Sequence, residues 1–469
     1  MAVFESVRNA ARLAPRVSYR FALLLTLLIP FLAAGCTSVV QRPAGAATAG
    51  PIAPVREAAL PLTGRDEDYD PLMNLIGDAR FVLLGDATHG THEFYQERAR
   101  LTERLIREKG FDAVAIEGDW QDAGRVNRYV RGLSGDASAE QALAGFHDFP
   151  GWMWANTDVR DLVEWLRQHN ASRPAAERAG FYGLDLYGLV SSADALTATL
   201  DRQDPAAGRR ARKRYGCFSR YRADIQKYGP EAAAHPARSC ESRAVEQLRE
   251  VQGWVAAELP HADPDRREAL FSALQDARVV RNGEAYYRVL ARSGVASWNL
   301  RDRHMASTLE ELANHLSTPG KPARIVVWAH NSHLGDASKT QRAELGELSL
   351  GQLVRQRHGE DAVLVGFTTY TGTVTAASVW GERGRLKEVR PALHGSWADL
   401  FHKAGIGDSL LLMRGGALAE ALAGTRPDRD IGVLYHPQDE RRDHYIQARL
   451  PEQFDAVVYF DRTRSVERL

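Results

Sequence analysis

Phe81-Val82-Leu83-Leu84-Gly85-Asp86-Ala87-Thr88-His89-Gly90-Thr91-His92-Glu93 compresses a strand, a polar turn and a helix start into one short stretch. Four apolar residues in a row, without polar alternation, fit a strand covered on both faces. The run stops at Gly85 and Asp86. A helical stretch follows in which Phe94, Leu101 and Leu105 form a stripe at i, i+7 and i+11. Strand, polar loop and helix in that order make the repeating unit of an α/β sheet.

Similar apolar runs recur along the chain: Ala113-Val114-Ala115-Ile116, Phe181-Tyr182-Gly183-Leu184, Ile325-Val326-Val327-Trp328 and Ala362-Val363-Leu364-Val365. Leu410-Leu411-Leu412, Ile431-Gly432-Val433-Leu434 and Val457-Val458-Tyr459-Phe460 complete the set. Helical stretches lie between most of them. The expected fold is α/β, a largely parallel β-sheet flanked by helices, carried by residues 63–189 and 318–469. Residues 190–317 break the rhythm. They show no convincing strand, and Val245, Leu248, Val251 and Val255 fall at helical spacing. They read either as a helical insertion packed on the sheet or as helices integral to one domain.

The N-terminus reads differently. Arg8, Arg12, Arg16 and Arg20 precede FALLLTLLIPFLAAG, an apolar run of about fifteen residues that is short for a membrane span and laid out like a secretory signal. Leu32-Ala33-Ala34-Gly35-Cys36 resembles a bacterial lipobox, so residues 1–35 are expected to be removed and Cys36 to carry lipid. Residues 36–62, rich in Ala, Gly and Pro, are expected to form a flexible tether. Export to the cell envelope follows, with a lipid anchor in the membrane (the outer membrane, facing the periplasm, in a Gram-negative cell). An oxidising compartment favours a disulfide between Cys217 and Cys240 over two buried thiols.

The chain of 469 residues balances 60 basic against 60 acidic side chains, with 44% hydrophobic and 26% charged residues. That composition is globular, and it argues against nucleic-acid binding carried by bulk positive charge. No G-x-S-x-G elbow, Walker loop, dinucleotide fingerprint or H-E-x-x-H occurs.

Chemistry is expected where strands end, because open α/β sheets bind ligands beyond their carboxyl edges. Three ends are unusually polar: Asp86 to Glu93, Glu117-Gly118-Asp119-Trp120, and His330-Asn331-Ser332-His333. Arg98 lies on the apolar stripe of its helix, where a guanidinium needs a carboxylate such as Asp86 or Glu117, or an anionic intermediate. His89, His330 and His333 could move protons, donate to an oxyanion or, with carboxylates, bind zinc or manganese. His92 reads as structural. Trp120, Trp152, Trp154 and Trp298 could line an apolar cleft or pack in the core. Asp185, Asn299, Arg301 and Asp302 are read as helix caps and staples in preference to a second polar shell.

The runs GDATHGTHEFYQERARLTERLI, AVAIEGDW, PGWMWANTDVRDLVEWLR, FYGLDLYG, SWNLRDRHMA, VVWAHNSHLGD and FDAVVYFDRTRSVERL, spread in order over residues 75–469, resemble the erythromycin esterase family. The resemblance implies an α/β hydrolase with no cofactor and no metal, opening an ester or lactone, in some members a macrolide. By the same resemblance His89 activates water, with Asp86, Arg98, Glu117, His330 and His333 around it; Trp120, Trp154 and Trp298, which lie in the same motif segments, are the candidates to line the substrate cleft. Asp86 stands where the family often has glutamate. Two alternatives stay open: a metal-dependent hydrolase using the same residues, and a non-enzymatic envelope lipoprotein binding haem or another ligand.

Overall fold

The eight apolar runs foreshadow a sheet whose strands are buried on both sides, and the computed structural model, which describes residues 50–469, contains one. Cys36 and the apolar run before it lie outside the described residues. The strands are β1 (Leu60–Pro61), β2 (Phe81–Leu84), β3 (Ala113–Asp119), β4 (Gly180–Asp185), β5 (Ile325–Trp328), β6 (Ala362–Ala376), β7 (Arg385–Val389), β8 (Ser409–Leu412), β9 (Arg426–Arg429), β10 (Tyr445–Ala448) and β11 (Ala456–Thr463). The sheet runs β1-β8-β11-β6-β2-β5-β3-β4, with β7 also paired to β6. From β11 to β4 every neighbour is parallel; β1, β7 and β8 are antiparallel additions.

The lack of polar alternation has a direct cause. Val82, Leu84, Val114, Ile116, Val326 and Trp328 point into one core, shared with the helices His92–Lys109, Trp120–Val130 and Thr157–Ala171. Their sequence neighbours Phe81, Leu83, Ala113, Ala115, Ile325 and Val327 point into a second, shared with Gly294–Leu316, Leu350–His358 and Trp397–Ala404. Side chains alternate across a strand, so two cores demand apolar residues at consecutive positions. Each fully buried Val or Leu contributes roughly 1.5–3 kcal/mol.

The helical segment divides. Helices from Leu189 to Leu290 build a third core around Leu196, Val251, Leu270 and Val280, and Cys217 and Cys240 are joined within it. Gly294–Leu316 belongs to the sheet instead, burying Met305, Leu309 and Leu312 against its second face. Among the described residues no helix is long and apolar enough to cross a membrane.

Two expectations are corrected. The tether does not extend to residue 62: Ile52–Ala58 is a helix, anchored by buried Val55 and by Arg56 Nε donating to Ala404 O (2.9 Å), and β1 pairs with β8. Ile431–Leu434 is not a strand. Ile431 N donates to Ala87 O (2.9 Å), and Ile431 O accepts from His89 N (3.4 Å), so its backbone groups serve the loop after β2 rather than a ladder.

Candidate active site

The carboxyl ends of β2, β3 and β5 are stitched into one floor. Asn331 N donates to Asp86 O (2.7 Å), and His330 N donates to Glu117 Oε2 (2.9 Å). Gly85 must be glycine, because a Cβ there would stand 2.1 Å from Asn331 Oδ1. Gly90 is under the same constraint, at 2.0 Å from Thr375 O. The sequence thus fixes the loop by having nothing where neighbouring chain passes.

On this floor six of the residues singled out in the sequence converge. His89 Nδ1 is 3.3 Å from Asp86 Oδ1, and His89 Nε2 is 4.0 Å from Glu117 Oε1. The His89 and His330 rings lie 4.7 Å apart. Arg98 Nη1 donates to Asp86 Oδ2 (2.8 Å), and His333 Nε2 is 3.4 Å from Glu117 Oε1. Asp86, His89, Arg98, Glu117, His330 and His333 are all buried.

Arg98 answers only to Asp86. It is fully buried, with its guanidinium carbon 4.3 Å from the Tyr95 ring centre and 4.7 Å from that of Trp328. That enclosure removes it as a direct donor to an oxyanion; it orients the acid behind His89. The guanidinium of Glu117 is instead Arg301, whose Nη2 donates to Glu117 Oε1 (2.7 Å) and Asp185 Oδ2 (2.6 Å). Arg301 Nη1 meets His333 Nε2 at 2.9 Å, and His333 Nδ1 meets Asp302 at 2.9 Å. Arginine only donates, so this His333 accepts at Nε2 and carries its proton on Nδ1.

Arg301, Asp302 and Asp185 therefore form the heart of the cluster rather than caps and staples. The signal was present: Arg301 and Asp302 lie with Met305, Leu309 and Leu312 on the buried face of their helix, the anomaly that exposed Arg98. Asn299 alone behaves as a staple, bonding Gly346 O and Leu348 N. Asp430 and Arg342 had no such signal. Asp430 Oδ1 is 3.4 Å from His330 Nδ1, and its other oxygen binds Arg342, which also lies over the Trp298 ring. Each of the three imidazoles thus has its own aspartate: Asp86, Asp430 and Asp302.

The tryptophans pack within and around the site. Trp120 packs between Tyr182 and Phe271 in one core of the sheet, and Trp154 donates to Glu117 O (3.2 Å) while packing on Tyr95 in the other. Trp298 is half-buried and lies flat on His333, ring centres 4.3 Å apart, so it braces that histidine. His92 bonds Asp158 (3.0 Å), a structural contact.

Electrostatics separate the histidines. Burial alone would lower the His89 pKa, but the Asp86 and Glu117 charges outweigh it and raise it above the ordinary value. His330 moves the other way, lowered by burial and by neighbouring His89. Burial opposes ionisation of Asp86 as well, yet His89 and Arg98 hold its pKa below the usual range. Among the described residues no group of three or more His, Cys, Asp or Glu converges as a metal site. The positive charge between Glu117 and Asp185 is the Arg301 guanidinium.

The sequence profile of the erythromycin esterase family matches residues 106–463. The chain belongs to the erythromycin esterase family. The matched range includes Glu117, Asp185, Arg301, Asp302, His330, His333 and Asp430, and starts downstream of Asp86, His89 and Arg98. Escherichia coli erythromycin esterase type II is 25% identical over 337 residues, covering 66% of this chain and 74% of its own. A succinoglycan biosynthesis protein has a similar crystal structure, with TM-score 0.70 and 22% identity, covering 89% of this chain and 97% of its own. A mutant of erythromycin esterase EreC in its open conformation shares the fold at TM-score 0.61 and 16% identity, covering 85% of this chain and 94% of its own. Family membership places this chain among hydrolases of small molecules.

Proposed function

We propose that this protein hydrolyses an ester or lactone by attack of a water molecule that His89 deprotonates. One observation carries the choice of base. His330 bonds Ser332 through Nδ1 (2.8 Å) and Ile431 O through Nε2 (3.2 Å), and His333 is engaged on both nitrogens by Asp302 and Arg301. Among the described residues His89 Nε2 has no hydrogen-bond partner, and it is not sealed from solvent, while its Nδ1 faces Asp86. A general base needs that combination, a free lone pair and an anion to stabilise the cation it becomes.

Attack on the carbonyl forms the new C–O bond and puts charge on the carbonyl oxygen. Neutral His330, beside His89, donates Nε2–H to that oxygen once it turns from Ile431 O. A well-placed donor of this kind stabilises the transition state by about 3–4 kcal/mol. Arg98 and Arg301 fix the acids and leave the chemistry to the imidazoles. No covalent acyl-enzyme is needed.

The test is mass spectrometry of erythromycin and a panel of simple esters and lactones incubated with residues 37–469. The expected result is a product heavier by one water that is lost in His89→Ala and retained in EDTA. Full activity in His89→Ala, or dependence on added metal, would contradict the proposal. Lipidation of Cys36 and anchorage in the envelope are part of the same proposal. Acyl labelling of the full chain, absent in Cys36→Ser, is its expected signature.

A further inference from the structure

Ester cleavage needs a proton for the departing oxygen as well as a base for water, and among the residues above only the His89 cation, formed in the first step and held by Asp86, could return one. We propose that Asp119, at the end of β3, is the acid that protonates the leaving oxygen; this inference rests on the hydrolytic reading above.

Asp119 occupies the N-cap position of the helix Trp120–Val130, where an aspartate ordinarily accepts from the first turn. It makes no such cap. β3 shifts register against β4 after Ile116, so Asp119 pairs with Asp185, and its side chain reaches across to the loop after β4. There Oδ1 accepts from Gly188 N at 2.8 Å. Gly188 lets the chain come that close, since a Cβ on it would lie 3.3 Å from Asp119 Cγ. Irregularities of this kind re-aim side chains beside active sites.

The second oxygen, Oδ2, has no hydrogen-bond partner among the described residues and is not sealed from solvent. Among the described residues Asp119 has no ion-pair partner. Its charged surroundings are acids: Asp185, one strand spacing away at about 5 Å, then Asp122 and Asp148, with Tyr287 behind. Asp148 stands on the wall of a cavity of about 670 Å³ that also takes in Trp152 and Phe149. On the other side, Asp185 is bound by Arg301, and Arg301 binds Glu117, which faces His89 Nε2.

This is the environment of a carboxylic acid. Burial with the Asp185 and Asp122 charges raises the Asp119 carboxyl well above the usual carboxylate range. The peptide N–H on Oδ1 is compatible with a proton on Oδ2. When the tetrahedral intermediate collapses, the bond from carbon to the leaving oxygen breaks and its electron pair goes to that oxygen, which takes the proton from Asp119 Oδ2. The products are the acid and the alcohol. His89 is left as the cation and Asp119 as the anion, and exchange with solvent returns the proton from one to the other.

The test pairs two esters of one acid, a 4-nitrophenyl ester whose leaving group needs no proton and an alkyl ester whose leaving group does. In Asp119→Asn, which keeps the size and the Gly188 contact, kcat for the alkyl ester should fall about 100-fold or more while the nitrophenyl ester changes little. Equal loss on both, or no loss on either, would overturn the proposal. His89→Ala should lose both, so failure of the base is distinguishable from failure of the acid. A measurement that needs no substrate runs beside it. The infrared difference between wild type and Asp119→Asn at neutral pH should contain the carbonyl stretch of a protonated carboxyl, and a carboxylate signal there would overturn the assignment. Asp119→Ser serves for both readings if the Asn variant folds poorly.

Discussion

Glu284 in the helical insertion and Asp86 at the end of β2 are both acids buried almost completely, yet their surroundings differ in kind. Glu284 accepts from Tyr228 OH (2.6 Å), Ser239 Oγ (3.1 Å) and Arg288 Nε (2.9 Å). Asp86 binds Arg98 through one oxygen, while its Oδ1, His89 Nδ1 and two nitrogens of Arg98 remain buried without a hydrogen bond. A satisfied buried ion holds helices together. An unsatisfied one is costly to keep and is expected where something else must bind or a proton must move.

Breaking each cluster should therefore produce opposite signatures. The largest effect is expected for His89→Ala, with kcat/KM falling by roughly 10²–10⁴ and little change in thermal midpoint, because the ring makes no well-formed hydrogen bond. A large loss of stability there, read by calorimetry, would erase the contrast. Next comes Arg98→Met, which leaves the Asp86 charge buried alone and should cost about 3–5 kcal/mol in denaturant unfolding. Glu284→Ala should cost about 1–3 kcal/mol by the same measurement, with kcat/KM unchanged in the folded protein. A loss of turnover in that variant would mean that the insertion takes part in the chemistry.

The mildest test is pH. His89 must be neutral to act as a base and its pKa is raised, so kcat/KM should climb through a limb lying above the ordinary histidine value. Asp86→Asn removes an anion that favours the cation and should move that limb to lower pH. The sign for stability is opposite. A raised folded-state pKa adds stability below the unfolded value and loses it as pH rises through the folded one. Activity and this increment of stability therefore trade across the same window. A limb that ignores Asp86→Asn would detach the acid from the base.

How much of this could be read in the sequence follows from how local each signal is. Seven of the eight apolar runs are strands because two-sided burial imprints itself on consecutive residues. Ile431–Leu434 misled because its backbone is bonded to a loop, which no side-chain pattern encodes. Asp86, His89, Glu117, His330 and His333 were legible because strand ends discharge straight into them. Arg98 was legible as a charge on an apolar stripe, although its enclosure by Tyr95 and Trp328 was not. Arg301 and Asp302 carried the same signature but also looked like ordinary helix polarity. Asp430 reaches His330 from the segment after β9, a hundred residues on in sequence, and only the fold brings them together.

His89, and not its two neighbours, is the proposed base. The most direct measurement is hydrolysis by His89→Ala, His330→Ala and His333→Ala with and without added imidazole. His89→Ala should be inactive and regain turnover when imidazole is supplied, while the other two are impaired and gain nothing. Rescue of His330→Ala or His333→Ala, or an active His89→Ala, would contradict it.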